Sequence, residues 1–192
     1  MRLTRREQRL LLIRRCITVA VSLASLFLLS LGLRWFAGVL IGSTSTPFAT
    51  QPTVIHVIDG DTIDVRIGRD ITRIRLLGID TPETKDPRKP VQCFGPEAAS
   101  RTAELLPNGS IVHLEADRET HDVFGRTLAY VHRDDGLFVN LSLLTDGFAD
   151  VLIISPNGAH SSEFRAAAAM ARTAKKGLWG ACGGPGHTAS TG

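Results

Sequence analysis

A chain of 192 residues, 43% hydrophobic and 21% charged, has room for one domain with an appendage and the composition of a globular protein. Its 18 glycines and three cysteines exclude a collagen-like repeat and a cysteine-dense scaffold, and one long apolar run excludes a multi-pass membrane protein. The formal charge of +3 divides unevenly: residues 1–34 hold seven arginines against Glu7 alone, which leaves a formal −3 on the remainder.

Residues 1–16 form a basic stretch in which six arginines precede the apolar run. Residues 17–41 then read as a signal-anchor helix. Ile17–Leu33 runs for 17 residues without a charge, about 26 Å of helix against a hydrocarbon core of ~30 Å, and Arg34, Trp35 and residues 36–41 extend it through the interface. The positive-inside rule puts the N-terminus in the cytoplasm and everything after residue 42 across the membrane, tethered by this helix. A cleaved signal peptide is the alternative, with Ser43-Thr44-Ser45 as its small-residue site, and the domain is then secreted. Residues 42–52 are Ser/Thr/Pro-rich and read as a linker, and residues 183–192 as a flexible tail. The folded domain is therefore expected over residues 53–182.

Within it, Thr53–Ile58, Thr62–Ile67 and Ile71–Leu77 are β-branched and alternating, with Gly60 and Gly68 at the turns, and predict three strands. Gly95-Pro96 opens a helix that runs to Leu106 and stops at Pro107-Asn108-Gly109. Strands follow at Ser110–Glu115 and Thr127–His132, a short helix at Asn140–Thr145, and a strand at Ala149–Ile154. Ser161–Lys176 is an Ala-rich helix with Ser161 or Ser162 as its N-cap, two lysines in its last turn and Gly177 as its stop. This order indicates α+β with a small barrel. Cys16 falls at the membrane edge, leaving Cys93 and Cys182 as one possible pair; a bridge would close a loop of about 90 residues, worth up to ~4 kcal/mol. Two separate thiols suit an oxidising compartment less well, and neither cysteine has the CxxC partner of a zinc site.

Three segments carry chemistry. Ile58-Asp59-Gly60-Asp61-Thr62 sets two carboxylates around a glycine at a strand turn, which suits a hard cation or simply a hairpin; Ile63 at the fifth position excludes an EF-hand. In Arg73-Ile74-Arg75-Leu76-Leu77-Gly78-Ile79-Asp80-Thr81-Pro82-Glu83, alternation puts both arginines on one face and Asp80 and Glu83 at the strand exit. Anion-binding guanidinium, cation-ready carboxylates and a potential base within a few residues suit phosphodiester hydrolysis. In Asp122-Val123-Phe124-Gly125-Arg126, a glycine before the arginine permits a sharp turn that aims Arg126 at a barrel mouth.

The strings IDGDT, RIRLLGIDTPET, CFGPEA, DVFGRTLAYV, FVNLSLLTDGFA and GLWG, in this order over roughly Thr53 to Cys182, resemble the staphylococcal nuclease (thermonuclease) family. The resemblance implies an OB-type five-stranded β-barrel with three helices and a Ca²⁺-dependent nuclease of DNA and RNA. It implies that Asp61 and Asp80 bind calcium with the Thr81 backbone carbonyl, that Glu83 is the general base, and that Arg75 and Arg126 bind phosphate and stabilise the transition state. The implied reaction is in-line attack of water on phosphorus, leaving a 3′-phosphate. The chain departs from the type member in substrate grip: Val123-Phe124 stands for a Lys–Tyr pair, with Phe124 keeping a ring for sugar or base contact, and Ile153 aligns with a pocket-lining tyrosine. Weaker, salt-sensitive nucleotide binding is expected. The rival reading is a non-catalytic nucleic-acid-binding OB-fold module, which has no reason to keep the full carboxylate and arginine set. No obligate protein partner is evident, and Trp179 reads as a plug between the last helix and the barrel.

Overall fold

The computed structural model of the protein describes residues 51–85 and 90–188. The basic stretch, the apolar run and nearly all of the linker lie outside the described residues, so the anchor and signal readings do too. Among the described residues no helix is long and apolar enough to cross a membrane.

Strands β1 (Thr53–Asp59), β2 (Thr62–Ile67) and β3 (Asp70–Leu76) form two successive hairpins, with Asp59 opposite Thr62 and Ile67 opposite Asp70. Alternation sorts their faces as the period-2 rule requires. Ile63, Val65, Ile74 and Leu76 are buried, while Asp64, Arg66 and Arg73 point away from the core. After β4 (Gly78–Asp80) come helix α1 (Gly95–Leu105), β5 (Val112–Glu115), β6 (Thr127–Arg133), α2 (Val139–Thr145), β7 (Asp150–Leu152), α3 (Ser161–Thr173) and the single turn α4 (Leu178–Ala181). The main sheet is mixed, ordered β1-β2-β3-β6-β5, with β6 parallel to β3; β4 and β7 form a separate antiparallel pair.

The α+β class is as expected, but a closed barrel is not found among the described residues. Edge strand β1 meets the β5 side at an isolated bridge, Thr53 to Ile111, and through backbone bonds from Val54 N–H to Ser110 O, from Gly109 N–H to Val54 O and from Val112 N–H to Pro52 O. Local hydrophobic alternation specifies strands and faces; whether the edges zip together depends on how far two twisted strands run side by side. The Ala-rich helix also ends earlier than Gly177 suggested. It closes at Thr173, Lys175 takes a left-handed φ of 50°, and the N-cap is His160 without a side-chain cap bond, not a serine.

The core lies between the sheet and helices α1, α2 and α3. Phe164, Ala167, Ala168 and Ala171 form the buried stripe of α3 at helical spacing. Trp179 packs with Leu178 and Ala171 against Phe94 in a smaller cluster, so it plugs α3 against the entry to α1 rather than against the sheet. Two polar side chains order the loops. Asn140, fully buried, accepts from Val131 N–H and donates to Leu77 O at 2.8 Å, clasping β6 to the end of the strand that carries Arg75. Asp117 accepts hydrogen bonds from the N–H groups of Gly158 and Ala159 and from the Tyr130 hydroxyl.

The Ala159 N–H, working with Tyr130 against a desolvation cost, holds the Asp117 carboxyl below the ordinary aspartate range. A lowered folded-state pKa adds stability that is complete above the unfolded value of ~3.9 and is lost as pH falls through the lower folded value. Asp117→Asn is therefore expected to cost about 1 kcal/mol or less near neutrality, since solvent screens this near-surface carboxylate, with the gap to wild type narrowing toward pH ~2. Thermal unfolding at both pH values measures it; an equal loss at both would show that the charge is not the cause.

Candidate active site

The turn between β1 and β2 delivers Asp59 and Asp61, and the exit of β3 through β4 delivers Arg75, Asp80, Thr81 and Glu83. The loop before β6 delivers Phe124 and Arg126. All eight line one cleft of about 620 Å³. The approach is close enough to require Gly60: a Cβ there would lie 2.7 Å from Thr81 Oγ1, so this glycine serves a contact between the two acidic turns.

Arg75 organises the acidic side of the cleft. Its Nη1 donates to the carbonyls of Leu76 (2.7 Å) and Ile79 (2.9 Å), and its Nη2 lies 3.1 Å from Asp61 Oδ2 and 3.1 Å from Asp80 Oδ1. Asp61 Oδ2 also accepts Thr81 N–H at 2.9 Å. Desolvation, then the negative charge of Asp61, raises the Asp80 carboxyl above the ordinary range, with Arg75 pulling against both and Glu83 adding to the rise. The Asp80 side chain is 57% accessible against 10% for Asp61, so its desolvation is that of a recess, not of the core. Asp59, read from the sequence as one of two carboxylates of the IDGDT turn but given no role by the resemblance, sits beside Glu83. Burial, and a side-chain hydrogen bond shared with Glu83, push its carboxyl up to about 6, although Gly60 N–H and the Thr84 hydroxyl both donate to it. Its only signal in the sequence was its place in IDGDT.

Four carboxylates gather at the Arg75 end of the cleft, with Arg73, Lys85 and Arg126 also on its walls, and that acidic end offers the oxygen donors a divalent cation takes. Thr81 Oγ1 is buried there without a hydrogen-bond partner. Among the described residues no three His, Cys, Asp or Glu side chains converge as a complete metal cage. The donors fit a hard cation that takes two carboxylates and a backbone carbonyl and fills its remaining positions with water.

Arg126 is placed by Asp122. Asp122 Oδ1 accepts the N–H groups of Phe124 and Arg126 at 2.9 Å each, and Oδ2 accepts Arg126 Nε at 2.6 Å. Burial pushes the Asp122 carboxyl up, but the backbone and guanidinium of Arg126 outweigh it and leave it below the usual range. Gly125, at φ 77°, makes the turn. The Arg126 guanidinium lies 5.5 Å from the Phe124 ring centroid, and the ring is 81% exposed.

A second cavity of about 360 Å³ adjoins the first, sharing Arg75, Phe124 and Arg126 and walled by Val123, Leu152 and Ile154. Ile153, which the resemblance aligns with a pocket-lining tyrosine, is not among the residues lining this cavity. Leu152 and Ile154 face the cavity, whereas Ile153 Cδ1 lies near Gly78, 3.6 Å from where a Cβ on that glycine would be. Side chains alternate along β7 and its extension, which sets Ile153 on the face opposite Leu152 and Ile154. Cys93 and Cys182 are joined in a disulfide across 89 residues.

Convergent acids, a candidate base and two arginines on one cleft are the parts of an enzyme that hydrolyses phosphodiesters. The family model described as Staphylococcal nuclease homologue matches residues 73–181. The thermonuclease of Staphylococcus hyicus is 40% identical over 126 residues, 66% of this chain and 73% of that protein. The thermonuclease of Staphylococcus intermedius is 40% identical over 126 residues, covering 66% and 74%. Endonuclease YncB of Bacillus subtilis (strain 168) is 38% identical over 133 residues, 68% of this chain and 62% of that protein. The chain belongs to the staphylococcal nuclease family and is a nuclease.

Proposed function

We propose that the protein is a Ca²⁺-dependent nuclease of DNA and RNA, exported and either membrane-tethered or secreted. One observation carries the catalytic part: Asp61, Asp80, Thr81, Glu83, Arg75 and Arg126, drawn from three separate segments, all border the same cleft. The arginine-flanked apolar run in the sequence and the Cys93–Cys182 bridge support export.

Asp61 and Asp80, with the Thr81 carbonyl, would hold Ca²⁺, which when bound supplies Lewis-acid polarisation of a phosphoryl oxygen. The Glu83 carboxylate takes the proton of the attacking water. Arg75 and Arg126 donate to the non-bridging oxygens as charge builds on phosphorus, Arg75 exchanging its contacts to Asp61 and Asp80 for the phosphate, a contribution of several kcal/mol. The bond to the 5′ oxygen breaks and a 3′-phosphate remains. The exposed ring of Phe124 and the apolar walls at Val123, Leu152 and Ile154 favour an unstacked nucleotide beside the scissile phosphate, with base contact made by aliphatic surface and a single ring.

The test is hydrolysis of single-stranded DNA and of RNA by the folded chain, with Ca²⁺ and with excess chelator. Cleavage is expected only with Ca²⁺ and should return when Ca²⁺ is restored to the chelated sample. Cleavage that persists under chelation removes the calcium dependence. A folded, oxidised protein that binds oligonucleotide and never cuts it is the non-catalytic binding module instead.

A further inference from the structure

We propose that Gln92 is a positioning residue for Glu83, and that the Cys93–Cys182 bridge holds Gln92 in place for that task. This rests on the reading of Glu83 as the base. Gln92 is bonded to both backbone polar groups of Glu83: its own N–H donates to Glu83 O, and its Oε1 accepts Glu83 N–H, each at 2.9 Å. Its side chain borders the cleft. One residue from another segment thus fixes the peptide planes on both sides of the Glu83 Cα, and with them the starting point of its carboxylate.

Gln92 is itself anchored from the far side. Cys93 is bonded to Cys182 directly after α4, Cys93 N–H donates to His187 O at 2.8 Å, and Gln92 bridges to Thr188. Residues Gly183–Thr188, which composition assigned to a tail, therefore return to the strand segment behind the base. Phe94 takes a left-handed φ of 70°, a conformation costly for a non-glycine residue, and its ring lies 5.2 Å from that of Phe148. Gly95 then meets the same loop, since a Cβ on it would lie 3.3 Å from Glu83 O and 2.5 Å from the Thr84 methyl. Covalent bridge, β-bridge, strained backbone and close packing meet within four residues, on the segment that bonds both backbone polar groups of Glu83. Fold stability alone does not call for a glutamine side chain at the cleft rim. A base that must meet its water within hydrogen-bond reach does, because a displacement of about 1 Å can cost ~10²-fold in rate.

The experiment measures kcat and KM on a short oligonucleotide with the full, oxidised chain at saturating Ca²⁺, for Gln92→Met, Gln92→Glu and the Cys93→Ser/Cys182→Ser double variant. Each is made in wild-type and Glu83→Gln backgrounds, with thermal unfolding recorded for all. Gln92→Met keeps length and loses the acceptor, and is expected to lower kcat by about 10- to 100-fold with KM within ~threefold. Gln92→Glu, which keeps an oxygen acceptor but adds a negative charge beside the other carboxylates, should recover part of that loss, with the pH profile of kcat moved toward higher pH. The double-serine variant should lower kcat in the same sense at temperatures where it remains folded. None of the three should lower activity further once Glu83 is glutamine, since a residue that acts through Glu83 has nothing left to position. Gln92→Met with wild-type kcat, or with an equal loss in both backgrounds, overturns the proposal while Glu83 remains the base. A fully active Glu83→Gln overturns the base assignment and this proposal with it.

Discussion

Glu83→Gln is expected to lower kcat by about 10²- to 10⁴-fold, the usual worth of a positioned general base, with little change in KM. Glutamine conserves volume and keeps an oxygen to accept Lys85 N–H, which Glu83 Oε1 accepts at 2.7 Å. The backbone clasp by Gln92 is also untouched. What disappears is the capacity to take a proton, so the loss falls on the chemical step and not on binding. The neighbouring Asp59 shares a hydrogen bond with Glu83, and an amide can still fill that place. Single-turnover cleavage at saturating Ca²⁺ and substrate, with oligonucleotide affinity measured separately, checks it. A loss under about tenfold would mean that another group activates the water.

Arg126→Ala should cost about 10²- to 10³-fold in kcat, or roughly 3–4 kcal/mol of transition-state stabilisation. Arg126→Lys should rescue little. Arg126 Nε is committed to Asp122 at 2.6 Å, so the two terminal nitrogens are the pair left to grip phosphate, and lysine cannot both keep the Asp122 bond and present a fork. Arg75 is a less clean target, because its Nη1 also secures two backbone carbonyls and its removal would loosen the β3 exit. Steady-state kinetics on one oligonucleotide for both Arg126 variants makes the comparison. Lysine restoring wild-type kcat would show that charge alone, without the fork, does the work.

Asp59 and Gln92 show where reading the chain stopped short. Asp59 was visible only as half of an Asp-Gly-Asp turn. Its importance comes from Glu83 and Thr84, 24 and 25 positions away in the sequence, being folded back against it. Gln92 lies in a stretch with no periodicity, and its two bonds to Glu83 are side-chain and backbone contacts across a turn that no local pattern announces. The apolar wall at Leu152 and Ile154 was hidden for a different reason. In a half-exposed strand the choice between Ile153 and its neighbours Leu152 and Ile154 depends on register, and three consecutive apolar residues carry no alternation from which to read it.

The sequence by itself determined the three opening strands, the helix that starts at Gly95-Pro96, the Ala-rich core stripe and the cysteine pair. It also determined the residue types of the site, through motifs whose order and spacing are specific to one family. These are properties of local propensity, period and covalent spacing. Tertiary structure alone decided that the sheet edges meet at one bridge and a few backbone bonds and not along a closed ladder, that Asn140 clasps the end of β3 from 63 positions away, and that Gln92 holds Glu83. It also decided which carboxylates share the cleft and so shift one another. Each of these turns on distances of a few ångströms between segments remote in the chain, and those distances follow from how the whole core packs rather than from any window of residues.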